Sequence, residues 1–167
     1  MYLSDARHNI ERINIDFLCS NFKLKRADHS LGPDRFRFDL IAEDNIFELK
    51  SRTYPKNGSG ERVRYQSDFE WWQLEVQQIR EYEKWTKSRH YNLYWILLRG
   101  DSTINPTKMK TMNQSTILNR DIFLLPWNSY KLVPQNGRYY YLGLRKVKAN
   151  YNFKTTKIKK GILHIEQ

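Results

Sequence analysis

Cysteine is nearly absent: the 167 residues contain one, Cys19. That excludes an intrachain disulfide framework and any Cys-only zinc cage, and it suits a reducing compartment, with Cys19 read as an inert, partly buried thiol. Glycine and proline are also scarce, at 7 and 5, against 5 Trp, 11 Tyr and 8 Phe. A disordered, collagen-like or linker-dominated chain is thereby excluded. No apolar run approaches the roughly 20 residues of a membrane span, and the first ten residues lack the charged-then-apolar layout of a signal peptide. The expectation is a soluble, cytoplasmic protein with no membrane association. Acidic residues are the last scarcity. None occurs from Ile122 to Ile165, a stretch that carries Lys131, Arg138, Arg145, Lys146, Lys148, Lys154, Lys157, Lys159 and Lys160, interleaved with aromatics such as Tyr139, Tyr140 and Tyr141. The whole chain has 29 Lys and Arg against 18 Asp and Glu, a formal charge of +11. Such an excess favours polyanions, nucleic acid ahead of an anionic membrane surface, by raising the local potential and releasing counterions.

What is present fits one α/β domain over residues 1–167, with a core over about 4–125 and a basic, aromatic extension over about 131–167. Ser4 can cap a first helix whose Ala6, Ile10, Ile13 and Phe17 recur at helical spacing. Glu11 lies one residue off that stripe, at the margin of the packed face. A short strand is expected near Phe22 to Arg26, then a hairpin of Phe36 to Ala42 and Ile46 to Ser51 around Glu43-Asp44-Asn45. A mobile basic loop from Arg52 to Gln66 follows, with Pro55, Gly58 and Gly60. Ser67 and Glu70 form a capping box for a long helix to about Ser88. Tyr91 to Leu98 reads as a central strand ending at Gly100-Asp101, a short helix is expected around Thr107 to Met112, and Ile122 to Leu125 is a strand stopped by Pro126.

The hairpin carries three charges, Asp39, Glu48 and Lys50, whose facing depends on register because a one-residue slip moves a strand's side chains to the other face. A two-residue loop at Asp44-Asn45 puts Asp39 opposite Lys50, and a four-residue loop puts Asp39 opposite Glu48. Either even loop gathers all three on one face, whereas a three-residue loop sends Asp39 to the other side. Strands are about 4.8 Å apart, so two carboxylates facing each other can share a hard, oxygen-liganded cation, Mg²⁺ being the natural choice. Lys50, about 7 Å beyond Glu48, can aim at a water or a phosphate, an arrangement suited to metal-assisted phosphodiester hydrolysis. The plainer reading of the same residues is a surface ion pair between Asp39 and Lys50, worth under about 1 kcal/mol.

Asp39 followed by Glu48-Leu49-Lys50 on the next strand resembles the signature of the PD-(D/E)XK nuclease superfamily, which includes type II restriction enzymes and Holliday-junction resolvases. The order helix, three strands, helix, strand over about residues 4–99 is similar to that family's core. The resemblance implies a mixed central β-sheet flanked by helices, in the αβββαβ order. It also implies a Mg²⁺-dependent endonuclease, Mn²⁺ substituting, that cuts DNA with Asp39 and Glu48 as metal ligands and Lys50 positioning or activating the attacking water. Glu11 stands where resolvase-like members carry a further acid, and Gln78-Ile79-Arg80-Glu81-Tyr82 has the Gln-x-x-x-Tyr form of RecB-like members, making Gln78 a candidate. The family's Pro-Asp occurs here as Pro33-Asp34, which leaves Asp34 as the alternative to Asp39. Arg52, Lys56, Arg62, Arg64, Arg145, Lys146, Lys148, Lys154 and Lys157 are the expected DNA contacts, and a homodimer is expected because one site cuts one strand. A non-catalytic nucleic-acid-binding module on the same fold is the alternative function, and a basic RNA-binding protein is a third.

Overall fold

The computed structural model describes residues 3–28, 30–33, 36–54, 56–61, 71–102, 116–127, 134–135, 139–143, 157–159 and 162–164; for 3–8, 71–76, 123, 126 and all from 134 onward it describes the backbone alone. Along the chain lie α1 (Leu3–Asn21), β1 (Lys25–Arg26), β2 (Leu40–Ala42), β3 (Asn45–Thr53), β4 (Trp71–Glu75), α2 (Val76–Thr86), β5 (Asn92–Ser102) and β6 (Ile117–Pro126). Four short strands complete it: β7 (Pro134–Gln135), β8 (Tyr139–Gly143), β9 (Lys157–Lys159) and β10 (Ile162–His164). The class is α/β, built on a mixed, open sheet in the order β1-β2-β3-β5-β6. β3 and β5 run parallel and the other neighbours are antiparallel.

Alternation along β3 and β5 sorts the core into two layers. Phe47, Leu49, Ile96 and Leu98 meet Ile15 and Leu18 of α1, while Ile46, Trp95, Leu97 and Leu125 meet Ile79 and Tyr82 of α2. Each helix therefore covers one face of the sheet. Ile10, Ile13 and Leu18 form the buried stripe of α1, with Phe17, expected in that stripe, only half-buried at its edge. Fully buried Asn14 lies on the same face, where it bonds the Ser51 hydroxyl and accepts from Arg120 Nε at 2.8 Å. These bonds tie α1 to β3 and β6. Burial raises the pKa of the Cys19 thiol, keeping it in the unreactive form.

Several expectations change. Within the span read as one helix from Ser67 to Ser88, α2 covers Val76–Thr86, and Trp71–Glu75 is a strand paired antiparallel with β8. Trp-Trp-Gln-Leu-Glu suits a strand as well as a helix, and its partner lies more than sixty residues away in sequence, where no local pattern reveals it. Ser67 to Glu70, the expected helix near Thr107 and Asp34 lie outside the described residues. β5 does not stop at Gly100 but passes through it with a register shift between Arg99 and Asp101. A Cβ on Gly100 would stand 2.4 Å from Ile117 Cγ2, so this glycine lets β6 approach and marks a bulge instead of an end. β6 accordingly starts at Ile117, earlier than the expected Ile122. β3 runs to Thr53, which makes Arg52 a strand residue, and the loop beyond is tied by Asn57, whose Oδ1 accepts from the N–H groups of Ser59 and Glu61 at 3.0 Å. Among the described residues no helix is long and apolar enough to cross a membrane.

Candidate active site

Ala42 pairs with Asn45, Ile41 with Ile46 and Leu40 with Phe47, so the hairpin turns on two residues, Glu43 and Asp44. The turn is even, as the gathering of the three charges requires. It lies one residue earlier than Asp44-Asn45, with Glu43 taking the left-handed φ of 53°. Continuing this register places Asp39 across from Glu48. β2 begins only at Leu40, not at Phe36, because the chain bends at Asp39. The bend sends Phe38 into the α2-side core although Leu40 packs on the α1 side. Asp39 then replaces the missing ladder with its own atoms: its N–H donates to the Phe47 carbonyl at 3.2 Å, and its Oδ2 accepts from the Leu49 N–H at 2.7 Å.

Glu48, only 4% exposed, faces α2 between Ile46 and Lys50. Gln78 Nε2 donates to its Oε1 at 3.1 Å, and the Tyr82 hydroxyl stands 3.2 Å from its Oε2. Gln78 also donates to the Tyr82 oxygen at 3.1 Å, and that hydroxyl reaches the Arg37 carbonyl at 2.8 Å. One turn of α2 sets Gln78 and Tyr82 above each other, which is how two residues four apart hold one carboxylate. Lys50 Nζ lies 3.6 Å from Glu48 Oε1, so the ion pair runs along β3 and not across to Asp39.

The electrostatics single out this pair of acids. Burial lifts the Asp39 carboxyl well above the usual carboxylate range, reinforced by the charges of Glu48 and Glu11 and opposed by the Leu49 N–H and Lys50. Burial likewise raises Glu48; Lys50 opposes the rise, Glu11 adds to it, and hydrogen bonds from Tyr82 and Asp39 offset part of it. The two acids therefore hold a proton more tightly than either would in water, the expected behaviour of neighbouring buried carboxyls. Tyr82, pushed up by burial and by the Glu48 charge, stays protonated.

The structure thus brings together Asp39, Glu48, Lys50 and Gln78, with half-buried Glu11 of α1 acting on both acids through its charge. Among the described residues no three His, Cys, Asp or Glu side chains form a metal cage, so the candidate donor set is the pair Asp39 and Glu48. Tyr82, the second named residue of the Gln-x-x-x-Tyr form, joins Gln78 there from four residues further along α2. Of the expected DNA contacts, Arg52 stands on β3 and Lys56 Nζ lies 4.0 Å from Asp101 Oδ1. Arg62, Arg64, Arg145, Lys146, Lys148 and Lys154 lie outside the described residues, and of Lys157 only its backbone, in β9, is described. No protein-family model matches the chain, and no curated protein matches it.

Proposed function

We propose that this protein is a metal-dependent endonuclease that hydrolyses DNA phosphodiester bonds on a restriction-endonuclease-like αβββαβ core. One observation carries the reading: half-buried Asp39 and buried Glu48 stand beside each other at the hairpin, with Lys50 paired to Glu48 along β3. The order α1, β1, β2, β3, α2, β5 supports it, with β4 as an addition before α2. The donor set suits Mg²⁺, which takes one or two carboxylates and completes its shell with water and substrate phosphate. Raised carboxyls of this kind are groups that a divalent cation would relieve of their mutual repulsion. When bound, the ion would neutralise charge on the phosphodiester and lower the pKa of a coordinated water.

The chain's own residues do the positioning. The Leu49 N–H fixes one oxygen of Asp39, and Gln78 and Tyr82 fix both oxygens of Glu48, so neither carboxylate has to be oriented when substrate arrives. Lys50 presents an ammonium with three donors toward the attacking water or a phosphate oxygen. Arg52 and Lys56, with Arg62, Arg64, Arg145, Lys146, Lys148, Lys154 and Lys157, supply positive charge for the backbone, and a homodimer would place one site on each strand. The occupied state of Glu48, with Gln78, Tyr82 and Lys50 all upon it, is the observation that favours the second reading, a non-catalytic nucleic-acid-binding module.

Incubation of the purified chain with supercoiled plasmid, branched DNA and single strands in Mg²⁺ or Mn²⁺ decides between them. The nuclease reading expects cleavage that chelation and Lys50→Ala abolish. Equal inertness of wild type and Lys50→Ala on every substrate would leave only the binding module.

A further inference from the structure

The α2 face of the sheet does not return to apolar residues beyond Lys50. Parallel register pairs Glu48 with Trp95, Lys50 with Leu97, Arg52 with Arg99 and Thr53 with Gly100. Alternation therefore places Arg52, and Arg99 beside it, on the face that carries Glu48 and Lys50. On the other side of Arg99 its antiparallel partner is Asp121. Tyr54 continues the parallel ladder, its N–H donating to the Gly100 carbonyl at 2.9 Å, and its hydroxyl crosses to Asp121 Oδ2 at 2.6 Å. Its ring centroid lies 5.6 Å from Arg99 Cζ. The tyrosine thus bridges β3 to β6 beside an arginine that is only 4% exposed.

Like charges side by side on neighbouring strands are unfavourable, and here two guanidiniums stand on backbones about 4.8 Å apart. Among the described residues, Arg52, Lys56 and Arg99 cluster at this edge with Asp101 and Asp121. The carboxylates also serve neutral donors, Asp101 Oδ2 accepting from Asn119 Nδ2 at 3.2 Å and Asp121 from Tyr54. Arg52 and Arg99 lie side by side at the carboxyl ends of the two parallel strands, the edge at which open α/β sheets bind their ligands. From Lys50 to Arg52 the strand advances about 7 Å, so Arg52 reaches backbone neighbouring whatever Lys50 holds.

We propose that this edge is a phosphate-backbone subsite for DNA: half-buried Arg52 contacts the phosphate, while buried Arg99, with Tyr54 beside it, is a positioning residue that fixes the charge next to Arg52. The proposal rests on the nuclease reading for its ligand and adds Arg99 and Tyr54, which the sequence pattern did not single out.

The test is fluorescence anisotropy of a short fluorescein-labelled duplex in EDTA over a range of salt, for wild type, Arg52→Gln, Arg99→Gln and Arg99→Lys, with circular dichroism showing which variants fold. Loss of one phosphate contact lowers the slope of log affinity against log salt by about 1, independent of sequence. That drop is expected for Arg52→Gln. Arg99→Gln should weaken binding, and Arg99→Lys, which keeps the charge, should restore most of it. A wild-type slope and affinity in Arg52→Gln overturns the subsite even if Arg99→Gln fails to fold, and so does the absence of measurable binding by wild type. Plasmid cleavage is read separately on the same proteins. Cleavage by wild type with unchanged slopes keeps the nuclease and removes the subsite; an Arg52-dependent slope without cleavage keeps the subsite and removes the nuclease.

Discussion

Tyr82→Phe removes one oxygen from the most connected point of the site and leaves the packing in place. The ring stacks on Phe38 at a centroid distance of 4.1 Å and meets Phe36 and Trp127 edge-on at 6.2 and 5.8 Å, contacts that phenylalanine keeps. What goes is a fully buried hydroxyl that serves the Arg37 carbonyl, approaches Glu48 and accepts from Gln78. Leaving buried partners unsatisfied costs about 1–3 kcal/mol. Gln78 retains its bond to Glu48, so we take the middle, about 2 kcal/mol, which is a factor of roughly 30 in the folded-to-unfolded ratio. At about 2–4 °C per kcal/mol for a chain of this size, Tm should fall by about 4–8 °C. Urea titration should show a lower midpoint at unchanged slope, since the surface exposed on unfolding is the same. A Tm within about 1 °C of wild type would refute the view that this hydroxyl is held by Arg37 and Glu48.

Two further outcomes follow from the same geometry. Both acids are raised in the folded chain, so between their ordinary range near about pH 4 and the raised values the folded state binds more protons than the unfolded one, and stability falls as pH climbs through that window. Asp39→Asn removes one contributor while keeping an oxygen for the Leu49 N–H; its urea midpoint should exceed wild type at about pH 8 and converge toward it at about pH 4, and equal gaps at both would contradict the assignment. Gly100→Ala should cost about 1–3 kcal/mol in thermal or urea unfolding, because the new methyl meets Ile117 Cγ2 at 2.4 Å and the Leu118 carbonyl oxygen at 3.0 Å; an unchanged Tm would show that β6 yields freely there.

The hairpin was legible because two local signals agreed: aliphatic alternation bounded the strands, and acidic and amide residues marked the turn. The turn's position was less legible, since Glu43 adopts a left-handed φ that sequence alone would sooner assign to Asp44 or Asn45. The even loop survived that displacement, which is why Asp39 and Glu48 still meet. Helix α1 and strand β5 carried strong periodic or continuous apolar signals. Trp71–Glu75 did not, because aromatic residues fit either period and β8 decides the matter from a distance. Arg99 was hidden differently: a charged residue after Tyr-Trp-Ile-Leu-Leu reads as a strand end, whereas a glycine bulge beyond it keeps the strand going and buries the arginine.

Calorimetric titration of Mn²⁺ into the purified protein tests the central claim most directly, that Asp39 and Glu48 form one cation site beside Lys50. Saturable binding is predicted for wild type and for Lys50→Ala, and its loss for Asp39→Asn and for Glu48→Gln. Heats that are absent in wild type, or that persist unchanged in both carboxyl variants, would contradict it.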